Sequence, residues 1–225
     1  VVISVRSITD LLATSRPPAD ANELRTGPNH IDHTRIEGRA TMARIGYPEL
    51  PADEVTVNIV RMLRHSADIG SAVNKLGAAQ FAAGALPAVD RELVIMNSGV
   101  AFSAPYEWEQ HISISRSAGV TDAQRDALAA RDLSSSEFTE AQRTLLAFAD
   151  SAARSPEVPD EIFEAARGHY TDQQLVETVI MVGFYFLIAR VSTVFQLEID
   201  PPDDSSVLST IVDEYKTSQQ HIPTS

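Results

Sequence analysis

In the stretch Pro87–Phe102, PAVDRELVIMNSGVAF, the apolar residues Leu93, Val94, Met96 and Val100 fall at the three- and four-residue spacing of a helix with one buried face. No segment of the chain alternates apolar and polar residues as a strand does, and no hairpin turn signal appears. Helix starts are marked by capping boxes, in which a Thr hydroxyl and a Gln side chain satisfy orphan amides. Thr121-Asp-Ala-Gln124, Thr139-Glu-Ala-Gln142 and Thr171-Asp-Gln-Gln174 all fit, predicting helices that begin near 122, 140 and 172. Gly119 and Gly168 precede two of these boxes, where a helix-ending glycine is expected. Ser103-Ala-Pro105 breaks the chain and opens another helix, with Ser103 as its expected N-cap. The segments flanking the three boxes do not align, so they are separate caps and not a repeat. The pattern predicts an all-α fold.

The most apolar run, Thr178–Ala189, is twelve residues long and lies between Glu177 and Arg190. Crossing a bilayer takes about 20 apolar residues, so this run reads as a buried core helix. The ends differ from the middle. Residues 1–40 hold Pro17-Pro18 and Gly27-Pro28 with scattered charge and read as an N-terminal arm, while 41–200 form the helical domain. Residues 201–225, after Pro201-Pro202, read as a tail with one short helix.

At 225 residues the chain is long enough for one sizeable core. Charge narrows its partners. Eighteen basic against 31 acidic residues give a net charge of −13, with no dense Lys/Arg block. Such a surface repels phosphate backbones and anionic membranes, so neither nucleic acid nor membrane is an expected partner. A small anionic molecule stays possible, because a few buried arginines set the field locally. The chain has no cysteine, which removes disulfides, thiolate metal sites and thiol redox chemistry. The start, VVISVRSITDLLATS, lacks the basic-then-apolar pattern of a signal peptide, and a soluble cytoplasmic protein is the expectation.

The densest chemistry is Ala104–His111, APYEWEQH. Glu107 and His111 are four apart and share a helix face. Glu92 lies on the preceding helix, and a tight antiparallel connection would bring it back toward them. A carboxylate beside an imidazole fixes its tautomer and makes it a competent proton donor or acceptor. Tyr106 and Trp108 would line an apolar pocket wall. The competing interpretation is an ordinary exposed Glu/His pair with Trp108 packed in the core. HIDH, His30 to His33, places two imidazoles and Asp32 together, but it lacks the spacing of helical zinc motifs, and no metal site is expected. The arm could instead drape over a neighbouring subunit, with His30 or His33 contacting substrate. His65 is assigned a capping or packing role, His169 a helix-end role, and His221 lies in the tail.

The ordered motifs of GALPAVDRELVIMNSGVAFSAPYEWEQHISISRSAGVTDAQRDAL resemble the carboxymuconolactone decarboxylase family, which shares its fold with the AhpD alkylhydroperoxidases. The resemblance spans about residues 42–200, continuing through FTEAQRTLLAFAD and TDQQLVETVIMVGFYFLIARV. The family's peroxidase branch has a Cys-x-x-Cys pair before its histidine, and those positions here are Ala104 and Glu107. This places the chain with the cysteine-free, decarboxylase-like branch. The resemblance implies a lyase that needs no cofactor and acts on a lactone or keto-acid-like molecule. His111 would donate the proton, Glu92 would orient it, and Glu107 would assist. Among Arg44, Arg91 and Arg190 as stabilisers of an anionic substrate, Arg44 is favoured, and Arg91 is assigned to a surface ion pair. Tyr185 is a candidate for substrate contact that also reads as core. Phe186 stands where the family often has Asn, suggesting a more apolar substrate. The resemblance also implies a homo-oligomer: dimer, trimer or hexamer. The same residues would serve an isomerase, dehydratase or cyclase, and a non-catalytic ligand-binding or assembly subunit is the alternative from another class.

Overall fold

A computed structural model describes residues 42–51 and 56–201. Within them lie eight helices and no strand: α1 Asn58–Leu63, α2 Ala67–Ala82, α3 Ala88–Ala101, α4 Pro105–Ala118, α5 Asp122–Ala129, α6 Glu140–Arg154, α7 Asp160–Arg167 and α8 Asp172–Phe195. The fold is all-α, as the periodicity predicts. The expected arm, including His30, Asp32 and His33, lies outside the described residues, as do His221 and all but the first residue of the expected tail.

All three capping boxes form. At Thr121, Thr139 and Thr171 the hydroxyl accepts from the N3 amide, and the N3 Gln carbonyl accepts from the cap amide. Two of these glutamines also act across helices. Gln124 Nε2 donates to Gln142 Oε1 at 3.3 Å, and Gln142 Nε2 donates to Asp90 Oδ1 at 3.1 Å. The Tyr170 hydroxyl reaches the other oxygen of Asp90. A buried carboxylate is costly unless its lone pairs are used, and here both oxygens are. The start of α3 is thereby tied to the starts of α5 and α6.

Helix α3 is the centre of the molecule, with α4, α5, α6 and α8 packed around it. It is buried on every side from Glu92 to Val100, not along one stripe. Leu93, Met96 and Val100 meet Trp108, Leu128 and Leu146, while Val94 and Ile95 meet Leu145, Val182 and Tyr185. A helix apolar all round belongs in a core, and its buried Glu92 and Asn97 therefore need partners.

Between α3 and α4 the chain reverses within three residues. Ser103 takes a left-handed conformation, φ 53°, and Ala104, not Ser103, is the N-cap of α4, with no side-chain cap. Pro105 removes one orphan amide at the first helical position, and the Ala104 amide bonds back to the Gly99 carbonyl. At the far end of α4, Gly119 adopts φ 102°, the left-handed stop that glycine supplies without strain. Gly168 does end α7, but in a right-handed conformation.

The long last helix departs from expectation. Helix α8 runs 24 residues, and by length and composition it is the one described helix that could cross a membrane. Only 39% of its most apolar window is buried. The interpretation of Thr178–Ala189 as a core helix therefore holds for one face and fails for the other, where Val179, Ile180, Phe186 and Leu187 are exposed.

Candidate active site

The α3–α4 reversal lays the two helices side by side, antiparallel, and brings Glu92 of α3 against His111 of α4. His111 Nδ1 lies 2.8 Å from Glu92 Oε2, across a sequence separation of 19 residues. Glu92 is fully buried and His111 is 8% exposed. A carboxylate only accepts hydrogen bonds, so this contact puts the proton on Nδ1 and leaves Nε2 as the acceptor of the neutral ring. Nε2 is engaged as well: the Tyr185 hydroxyl sits 3.1 Å away. With the first tautomer fixed, Tyr185 donates to His111. Glu92, His111 and Tyr185 form one buried chain.

Glu107 lies one helical turn before His111 and is also buried. Its Oε1 accepts from the Ser192 hydroxyl at 2.8 Å. Burial pushes its carboxyl up to about 7, against opposing effects from the Ser192 hydrogen bond and the nearby His111. The Tyr185 phenol is held well above its ordinary range, first by burial and then by the charges of Glu92 and Glu107. The Phe81 ring stacks beside the imidazole with centroids 6.4 Å apart. Arg91 lies over the same Phe81 ring at 4.5 Å, with its Nε 3.7 Å from Glu92 Oε1.

Three buried atoms around this chain have no hydrogen-bond partner: Glu92 Oε1, Glu107 Oε2 and Arg91 Nε. Unpaired buried polar atoms are uncommon and costly in native proteins, and each calls for a reason. Two carboxylate oxygens and a guanidinium nitrogen, left open beside an imidazole and a phenol, can serve proton transfer and the recognition of a polar organic group.

Residues 67–151 match the model of the carboxymuconolactone decarboxylase family. Over that stretch the chain is similar to this family. The matched region carries Glu92, Glu107 and His111, whereas Tyr185 and Ser192 lie beyond it on α8. Solved structures with the same fold include an AhpD-core, peroxidase-related protein of Ralstonia eutropha, 24% identical at a TM-score of 0.63, covering 76% of this chain and 97% of that one. A cysteine-to-alanine variant of the debrominase Bmp8 in complex with 2,3,4-tribromopyrrole is 20% identical, TM-score 0.58, covering 72% and 83%. A protein of unknown function from Agrobacterium tumefaciens is 20% identical, TM-score 0.57, covering 66% and 99%. Among curated proteins none matches the chain in sequence.

Other residues singled out in the sequence fall elsewhere in the helical domain. Tyr106 turns away from His111: its hydroxyl bonds Asp200 Oδ2 at 2.5 Å, and its ring packs with Met62 and Leu197. Trp108 is core, packed with Leu93 and Met96. Arg44 is exposed, its backbone amide bonded to the Phe195 carbonyl. Arg91, expected in a surface ion pair, is instead largely buried beside Glu92. Arg190 lies on the outer face of α8 over Phe186, and Phe186 itself is exposed and meets Phe102 edge-on. The substitution at 186 therefore says nothing of the pocket beside His111. His65 bonds the Gly46 carbonyl, and His169 follows the end of α7, in keeping with packing and helix-end roles. Among the described residues no three His, Asp or Glu side chains form a metal-holding group.

Ser192 was missed from the sequence and Tyr185 underrated. Their signal is the seven-residue spacing of Thr178, Tyr185 and Ser192, three hydroxyls on one face of an otherwise apolar helix, all buried.

Proposed function

We propose that this protein is a cofactor-independent acid/base enzyme, a decarboxylase acting on a lactone or keto-acid-like small molecule. The observation that carries the proposal is the buried Glu92–His111–Tyr185 chain, bordered by the open oxygens of Glu92 and Glu107. The family match adds to it, since Glu92, Glu107 and His111 all lie inside the matched region. Thiol chemistry has no residue to act through, because the sequence holds no cysteine.

In the reaction, the bond between the substrate carboxylate and its neighbouring carbon breaks and carbon dioxide leaves. The electron pair flows into a conjugated carbonyl as an enolate, and a proton then reaches carbon. His111, once solvent has protonated its Nε2, holds that proton as imidazolium, with Glu92 stabilising its charge through Nδ1. Because Tyr185 occupies Nε2, the proton passes through the phenol: Tyr185 gives its proton to carbon and takes another from His111 Nε2. A carboxyl raised to about 7 is partly protonated at neutral pH, so Glu107 can donate a hydrogen bond to the enolate oxygen. Arg91, a cation beside the chain, offsets the negative charge of the incoming acid.

The test is carbon dioxide release from a panel of lactone acids and β-keto acids, run in heavy water so that product deuteration reports protonation at carbon. Wild type should release carbon dioxide and deuterate product. His111→Ala should lose both, and Tyr185→Phe should slow turnover on the order of 100-fold. Release at the wild-type rate from His111→Ala would sink the acid/base assignment. Deuteration with no release would move the reading to an isomerase, and neither signal across the panel would favour ligand binding without chemistry.

A further inference from the structure

Ser192 has no local reason to stand where it does. It is 3% exposed, near the end of a helix that is otherwise almost wholly apolar. Alanine would suit a buried helix better, since serine competes with the backbone and brings a hydroxyl that must be partnered. That hydroxyl has two acceptors in reach: Glu107 Oε1 at 2.8 Å, on another helix, and the Ala189 carbonyl at 3.2 Å, on its own. A serine hydroxyl holds one proton, so it serves one of the two at full strength. A carboxylate is the stronger acceptor and here also the nearer one. The proton therefore points to Glu107, and the Ala189 carbonyl keeps its place in the helix ladder without it.

The two oxygens of Glu107 stand in unlike settings. Among the described residues Ser192 gives the one side-chain hydrogen bond to this carboxylate, at Oε1, while Oε2 is buried without a partner. The titratable groups around it are His111 and Tyr106 on its own helix and the Tyr185 phenol on α8. Glu92 and Arg91 on α3 act on that same phenol. A proton taken up by Glu107 has two places to go. On Oε1 it would meet the serine proton head-on, and Ser192 would have to turn away to Ala189 at the longer distance. On Oε2 it leaves the 2.8 Å bond in place, now from Ser192 to the carbonyl end of the acid. Oε2 then becomes a buried donor with no acceptor, a costly state that an enolate oxygen beside it would relieve.

We propose that Ser192 is the positioning residue for Glu107: by donating to Oε1 it fixes the carbonyl end of the acid and puts the proton on Oε2, the open atom. This role rests on the acid/base reading of Glu107 and falls on a residue beyond the family-matched stretch. Tyr185, seven residues earlier on the same face, does the like for His111. Helix α8 thus sets the proton position on both α4 groups.

Two readouts need no substrate. In infrared difference spectra between pH 5 and pH 9, the carbonyl band of neutral Glu107 is the one missing from Glu107→Gln. Ser192→Ala should move it to higher wavenumber, because the carbonyl end loses its donor. Were the proton on Oε1, the carbonyl would be Oε2 and the band would hardly move. The midpoint of the same band, about 7 in wild type, should rise by about one pH unit in Ser192→Ala, since a hydrogen bond to the charged form is lost. Thr178→Ala removes another buried hydroxyl of that face, one bonded to the Gln174 carbonyl, and should move neither. Band or midpoint unmoved in Ser192→Ala, or both moved equally by Thr178→Ala, would overturn the role and leave the acid/base reading standing. Both moved by Ser192→Ala alone, in a protein that turns over no acid of the panel, would sink that reading and leave the hold of Ser192 on Glu107 intact.

Discussion

Glu107 is the residue whose environment makes the sharpest demand. Its carboxyl is raised to about 7, chiefly by burial, from an ordinary value near 4.5. The folded state therefore holds a proton that the unfolded state releases as pH climbs past 4.5. Stability from this group is fully present below that value and is lost as pH rises through 7, with an upper bound on the order of 3 kcal/mol. Glu107→Gln keeps the shape and removes the titration. Thermal melts should show the variant gaining on wild type between pH 5 and pH 8, and equal slopes in both proteins would refute the assignment. At this scale Glu92 and His111 were legible in the sequence, since the Ser103-Ala-Pro105 break forces their helices antiparallel and the 2.8 Å contact follows. Tyr106 and Trp108 were misjudged because proximity along the chain is not proximity in space. On a helix each lies about 100° from Glu107, so one reaches Asp200 and the other enters the core. Tyr185 was obscured because a phenol within TVIMVGFYFLIA has the same pattern whether it packs or donates.

At the level of elements, the helix starts were the most legible feature, because a Thr and a Gln three apart satisfy local amides whatever the rest of the chain does. What could not be read locally is that Gln142 does two jobs, closing the α6 cap with its oxygen and holding Asp90 with its nitrogen. Thr139→Ala removes only a cap and should cost about 1 kcal/mol. Gln142→Ala also leaves a buried carboxylate short of a donor and should cost about 2–3 kcal/mol. Urea unfolding of the two variants compares them directly, and equal losses would mean that the link to α3 contributes nothing. Ser103 was misassigned for a reason of the same kind. The tight reversal puts it in a left-handed conformation, and the Ala104–Gly99 hydrogen bond takes over the job a side-chain cap would have done.

Across the whole molecule, residues 198–200 close the structure. Glu198 accepts from the Ala43 amide and the Tyr47 hydroxyl, while Asp200 accepts from the Asn58 amide and the Tyr106 hydroxyl. The ring contact of Arg61 with Tyr47 lies in the same seam. None of this could be seen in the sequence, since the partners stand some 94 to 155 residues apart and no spacing rule links them. Asp200→Ala should lower stability by about 2 kcal/mol through the two donors it strands. Amide hydrogen exchange should quicken at Asn58 and through α1, and unchanged exchange there would contradict the role. The same arrangement has a consequence for synthesis. Glu92 and His111 leave the ribosome long before Tyr185, Ser192 and Asp200 do, so the nascent chain carries its acid/base pair wet and uncovered. The relay acquires its phenol, and α4 its anchor, only when the last described turn of chain has emerged.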